Sequence, residues 1–219
     1  EAVGCRACPL WRHATQTVFG EGKADAAVML VGEQPGSDED KEGHPFVGPA
    51  GALLERALDD AGIPRDRVYV TNAVKHFKWE PRGKRRIHKT PAQREIDACS
   101  RWLDAEIATV KPALIVCLGA TAARAVLGHA VRIGTLRGSV YAAPERAERR
   151  VAVTYHPAYV LRQRDHERFA EAYQELVQDL RAVARVLRDP AGCTPGLHDP
   201  ATARPEPSSS DAGDRRGRA

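Results

Sequence analysis

Two short, uninterrupted apolar runs, Ala26-Ala-Val-Met-Leu-Val31 and Ala113-Leu-Ile-Val-Cys-Leu118, each end directly in a glycine, Gly32 and Gly119. Successive strand residues point to opposite faces, so a run with no polar member needs cover on both sides. A strand inside a parallel sheet layered between helices meets that need. Neither run is long enough to cross a bilayer. Arg67-Val-Tyr-Val-Thr-Asn72 repeats the pattern, and Gly138–Ala142 and Val151–Tyr155 read as two further strands joined by a charged turn. Helical spacing fills the intervals at residues 51–62, 120–127 and 167–187. Thr90-Pro91 reads as the N-cap and first position of another helix, reaching about Thr109. Strands alternating with helices predict one α/β/α domain over residues 1–188. Residues 189–219 are rich in Pro, Ser, Asp and Arg, have little to bury, and read as a disordered tail.

Ligands of such sheets bind beyond the carboxyl ends of the strands. That directs attention to the segments after Val31, Val70 and Thr154. The first contains Gly32-Glu33-Gln34-Pro35-Gly36 and then His44-Pro45-Phe46-Val47-Gly48. Glu33 and Gln34 offer polar groups to one crevice. Phe46 offers a flat face to a base, or else anchors its loop on the domain. Asn72 closes the second strand with an amide that both donates and accepts, as the edge of a nucleobase requires. His156, in Tyr155-His156-Pro157, can hydrogen-bond a base carbonyl, although a His-Pro turn also occurs without function. Together these pieces suit the holding of an extruded base.

The net charge of +4 is a weak pointer to nucleic acid, and its distribution is a stronger one. Lys75, Lys78, Arg82, Lys84, Arg85, Arg86, Lys89 and Arg94 crowd one segment, opposed as far as Lys89 by Glu80 alone. Such a field suits a polyanion; a solvated loop is the bland alternative. The five cysteines are odd in number, without a signal-like apolar run, which argues against a disulfide framework. Cys5-x-x-Cys8, Cys99 and Cys117 are candidates for zinc, for a [4Fe–4S] cluster, for redox chemistry or for inert core thiols, and spacing does not choose among them. Cys193, in the tail, is left out of the ligand set.

The glycine-rich strand end, Pro45-Phe46-Val47-Gly48-x-Ala-Gly51, Asn72-x-Val-Lys75, the four cysteines and His156-Pro157 together resemble family 4 uracil-DNA glycosylases from Cys5 to Leu187. The resemblance implies a three-layer fold around a four-stranded parallel sheet, with a [4Fe–4S] cluster on Cys5, Cys8, Cys99 and Cys117. Phe46 would stack on uracil, and Gln34, Asn72 and His156 would bind it. It further implies a DNA-repair enzyme, monomeric and cytoplasmic at the nucleoid, working on uracil-containing DNA with single strands preferred and no membrane association.

Two features depart from the ordinary pattern: Gln34 in Gly-Glu-Gln-Pro-Gly, and the insertion Arg82-Gly-Lys-Arg-Arg-Ile-His88-Lys-Thr-Pro91. Both resemble the UdgX branch, whose members bond to DNA through the histidine of Lys-Arg-Arg-Ile-His. His88 is then the expected nucleophile and Glu33 the carboxylate that prepares it, with His156 assisting departure of uracil. Lys84, Arg85, Arg86, Lys89 and Arg162 are expected to contact phosphates, which position a protein on DNA without reading its sequence. Ser37 stands where relatives carry an acid, and Asp38 is the candidate substitute. A conventional multiple-turnover glycosylase and a non-catalytic module for single-stranded nucleic acid are the competing readings.

Overall fold

The computed structural model describes residues 4–142, 149–163 and 165–189. In chain order the elements are β1 (Val28–Gly32), α1 (Ser37–Glu42), α2 (Pro49–Ala61), β2 (Val68–Asn72), β3 (Trp79–Arg82), β4 (Arg85–His88) and α3 (Gln93–Val110). There follow β5 (Leu114–Leu118), α4 (Ala120–Leu127), α5 (Ile133–Leu136), β6 (Val140–Ala142), β7 (Arg150–Thr154), α6 (Pro157–Leu161) and α7 (His166–Arg188). The main sheet runs β2-β1-β5-β7-β6. Its first four strands are parallel, as expected, and β6 adds an antiparallel edge. The connection from β6 to β7 is too short for a crossover helix, so the two strands meet head to tail.

The continuous apolar runs explain the layers. Val28, Leu30, Val70, Leu114 and Val116 pack against α2 and α7. Their neighbours Met29, Val31, Ile115, Cys117 and Val153 pack on the other face against α3 and α4. Burying one such side chain contributes roughly 1.5–3 kcal/mol, which makes the sheet centre the dominant apolar core. Among the described residues no helix is long and apolar enough to cross a membrane.

Two expectations need correction. Helix α3 begins at Gln93, with Ala92 as its N-cap, not at Pro91 after Thr90. The Glu95 carboxylate accepts the Ala92 N–H at 2.6 Å and so serves the helix start that Thr90 was expected to serve. The basic loop is not irregular: β3 and β4 form an antiparallel hairpin, with Trp79 opposite His88 and Arg82 opposite Arg85. Gly83 turns it at φ 59°, a conformation favourable to glycine at the head of a two-residue turn. The proposed tail beyond Asp189, Cys193 and the charged turn at 143–148 lie outside the described residues.

Candidate active site

The carboxyl ends of β1, β2, β5 and β7 open into one cleft of about 950 Å³. Its lining includes Glu33, Phe46, Asn72, His88, Thr121 and His156. These come from separate stretches of chain that the order of the main sheet and the placement of the β3–β4 hairpin bring together.

The floor is set by Gly32. A Cβ there would stand 2.4 Å from Asn72 Oδ1 and 2.8 Å from Phe46 Cζ, so both side chains close over the bare backbone. Asn72 is buried, at 3% exposure. Its backbone carbonyl accepts from Lys75 Nζ at 2.6 Å, and the same ammonium reaches Thr71 Oγ1 and pairs with Glu106 Oε2 at 2.6 Å. Lys75 was read as part of the basic field; it is instead fully buried and braces the end of β2. Phe46 holds a positive φ of 58°, rare for a bulky side chain. Its ring lies 6.1 Å from that of His156, nearly parallel at 25°, so two flat faces border the same space.

His156 is the N-cap of α6, and its Nδ1 accepts the Ala158 N–H at 3.1 Å. That bond assigns the tautomer: Nδ1 bears no proton, so neutral His156 presents Nε2–H. Burial, with His88 and Arg162 adding to it, lowers its pKa to about 4. The ring is therefore a neutral donor at physiological pH.

His88 ends β4 at the cleft. Its Nε2 stands 3.5 Å from Glu33 Oε1, and its side chain remains 48% exposed. Burial against the cleft wall lowers its pKa, opposed by Glu33 and reinforced by Arg162. The other Glu33 oxygen accepts from Thr121 Oγ1 at 2.5 Å. Thr121 has no sequence signal of its own, because a threonine in the first turn of a helix is commonplace.

Two residues expected to contact DNA, Gln34 and Arg86, line the cleft and also hold this hairpin. Gln34 was expected to bind uracil. Its side-chain carbonyl accepts from Lys78 N at 3.0 Å, and its amide donates to the Lys78 and Lys89 carbonyls at 3.1 Å, pinning both hairpin stems at the cleft. Arg86 was expected to face phosphate. Its guanidinium pairs with Asp40 Oδ2 at 2.5 Å, donates to Ser37 O and Oγ at 2.8 and 2.9 Å, and covers the Phe77 and Trp79 rings. Ser37 thus contacts the hairpin, while Asp38 pairs with exposed Lys41. Lys84, Arg85 and Arg162 are exposed, and Lys89 is exposed in a surface pair with Glu80.

Arg86→Ala should therefore act as a hairpin-loosening change. Asp40 is fully buried and keeps only Thr15 among these partners. Removing one member of a buried pair costs about 3 kcal/mol. Denaturant unfolding should show that loss, while the salt dependence of DNA binding stays near the parent's. An unchanged stability with a shallower salt slope would restore Arg86 to the phosphate-contact set.

The cysteines divide into two groups. Cys8 and Cys99 share a small apolar cluster with Val74 and Ile96, and Cys5 lies close enough to influence both thiols electrostatically. Burial raises both thiols, Cys99 to about 11. Cys117 lies in a different cluster: it is fully buried in β5 among Met29, Val31 and Ile115. The Lys75 N–H donates to Cys99 Sγ at 3.3 Å, and the next residue, His76, is buried at 5% exposure. Its Nε2 meets Thr17 Oγ1 at 3.0 Å, while Nδ1 has no hydrogen-bond partner. A buried ring nitrogen without a partner fits a metal ligand. Among the described residues no group of three or more His, Cys, Asp or Glu stands in ready-made metal geometry.

A largely parallel sheet covered on both faces, whose strand ends gather an aromatic face, a buried amide and a neutral imidazole, defines an α/β protein with its cleft at the carboxyl ends of the strands. A family model described as the uracil DNA glycosylase superfamily matches residues 19–181. A type-4 uracil-DNA glycosylase of Thermotoga maritima is 42% identical over 164 residues, covering 74% of this chain and 81% of that protein. One of Pyrobaculum aerophilum is 39% identical over 163 residues, covering 72% and 80%. A type-5 uracil-DNA glycosylase of the same organism is 33% identical over 172 residues, covering 68% and 71%. The chain belongs to the uracil-DNA glycosylase superfamily.

Proposed function

We propose that this chain excises uracil from DNA and then captures the abasic sugar through His88. Membership of the superfamily supports excision. One observation supports capture: the His88 imidazole faces the Glu33 carboxylate at 3.5 Å inside the cleft that Phe46, Asn72 and His156 line.

In this reading Phe46 stacks on the extruded base and Asn72 reads its edge. The N-glycosidic bond breaks with its electron pair passing to uracil, whose growing negative charge the Nε2–H of His156 stabilises. A donor already aimed at such charge needs no reorganisation during the reaction. The Glu33 carboxylate faces the cationic sugar. The lone pair of neutral His88 then forms a bond to C1′, and the one N–H proton of the resulting imidazolium leaves to Glu33 or solvent. The product is a neutral N-alkyl imidazole, a poor leaving group, so the enzyme turns over once. A held imidazole outcompetes water through proximity and nucleophilicity. Lys84, Arg85, Lys89 and Arg162 contact phosphates, and single strands are preferred because their bases need no unpairing.

The type-4 names of the relatives favour a second reading, in which water completes the reaction and the enzyme turns over repeatedly. Denaturing gels with a uracil oligonucleotide separate the two. A shifted protein–DNA band is expected; free abasic DNA without it would leave the ordinary glycosylase. Capture also has a pH signature. Protonated imidazole has no lone pair, and burial places the His88 pKa below its ordinary 6.5. Adduct formation should therefore persist as pH falls through 6.5 and fail only in more acid solution, whereas loss beginning above 6.5 would contradict the role.

The cofactor in this reading is a [4Fe–4S] cluster on the thiolates of Cys5, Cys8 and Cys99, with His76 Nδ1 as fourth donor in place of Cys117. Its chemistry here is thiolate and imidazole ligation, which ties the N-terminal loop to α3 and to the segment after β2. His76→Ala should lose iron and the brown absorbance of the holoprotein, while Cys117→Ala keeps both. Bleaching by Cys117→Ala with His76→Ala unaffected would reinstate the four-cysteine set.

A further inference from the structure

We infer that Thr121 is a positioning residue for covalent capture, acting through Glu33 on His88. The inference rests on the capture reading above and adds a residue to it. A carboxylate at the end of a two-carbon stem can rotate, and each rotation redistributes its charge between two oxygens. Here the two oxygens have separate partners. Oε2 accepts the Thr121 hydroxyl proton at 2.5 Å, and Oε1 faces His88 Nε2 at 3.5 Å. Their origins differ: Glu33 follows β1, Thr121 lies in the first turn of α4 after β5, and His88 ends the hairpin. The sheet pairs β1 directly with β5, which fixes the spacing between Glu33 and Thr121. The hairpin is fixed separately, by Gln34 and Arg86.

A hydroxyl on one carboxylate oxygen thus leaves the other in a single orientation toward the imidazole. Without it, Glu33 turns toward solvent in the open cleft, and His88 loses the neighbour that orients its ring. Excision depends less on this arrangement, because the Thr121 hydroxyl donates to Glu33 and not to Phe46, Asn72 or His156, which hold the base in this reading. Thr121 should therefore affect how the abasic sugar is partitioned between imidazole and water more than how fast uracil leaves.

The test is a single-turnover reaction of a labelled uracil oligonucleotide, with released uracil, free abasic product and denaturation-resistant adduct measured together. Thr121→Val keeps the volume and removes the hydroxyl, Thr121→Ala removes both, and Thr121→Ser keeps the hydroxyl. Val and Ala variants should show an adduct-to-free-product ratio lowered on the order of 10-fold, the scale of one hydrogen bond to a charged group. The Ser variant should recover most of the parental ratio. If Val and Ala partition as the parent does, or Ser is as defective as Val, the hydroxyl has no positioning role. If Val does not fold, Ala against Ser decides the same point. A parent that forms no adduct would overturn the capture reading itself, an outcome distinct from an adduct-forming parent whose Thr121 variants are normal.

Discussion

His88→Ser should release uracil yet form no complex that survives denaturation, and it should turn over more than once. Cleavage depends on the pocket of Phe46, Asn72 and His156; capture depends on the ring at the end of β4. Phe46 and His156 border the pocket from elements other than the hairpin, so truncating His88 leaves them in place. Serine opens a path for water to the same C1′ and removes the competing nucleophile. The expected change is from one uracil per enzyme to many, the largest qualitative effect of any single substitution considered. Gels that follow uracil loss and adduct together would check it. An adduct of undiminished yield from His88→Ser would assign the nucleophile elsewhere.

Asn72→Ala should lower the excision rate on the order of 100-fold to 1000-fold, the scale for losing one pre-organised donor at a reacting site. Its side chain is buried beside the bare backbone of Gly32. Truncation leaves the base edge unpaired in a place water reaches poorly. Binding to uracil-free DNA should change by less than about 0.5 kcal/mol, because phosphate contacts made elsewhere dominate that affinity. Single-turnover kinetics beside equilibrium binding would separate the two effects. A normal excision rate would mean that another group reads the base.

The sheet was legible in the sequence because both strand faces are buried, so the runs around Leu30 and Val116 contain no polar residue to confuse their period. Glu33, Phe46, Asn72 and His156 were singled out together because strand ends in such sheets converge, whereas His88 was singled out only by the resemblance of Lys-Arg-Arg-Ile-His. The hairpin was not. Its residues are largely exposed, so no apolar alternation marks it, and Arg82-Gly-Lys-Arg reads first as charge. The partners of Gln34 and Arg86 were hidden for a related reason. An amide and a guanidinium serve ligand or backbone equally well, and Asp40 lies 46 residues from Arg86. Cys117 and His76 show the same limit in the core: the resemblance named Cys117 as a ligand and passed over His76, and only folding puts one in an apolar layer and leaves the other with a bare ring nitrogen.

The central claim concerns one bond, between the His88 ring and C1′ of the sugar. Mass spectrometry of peptides from the denatured complex of this protein with a uracil oligonucleotide tests it most directly. The account predicts one peptide spanning His88 with the added mass of the abasic sugar fragment, the modification localised to that imidazole. Attachment at any other residue, or no modified peptide from a reaction in which uracil has been released, would contradict it.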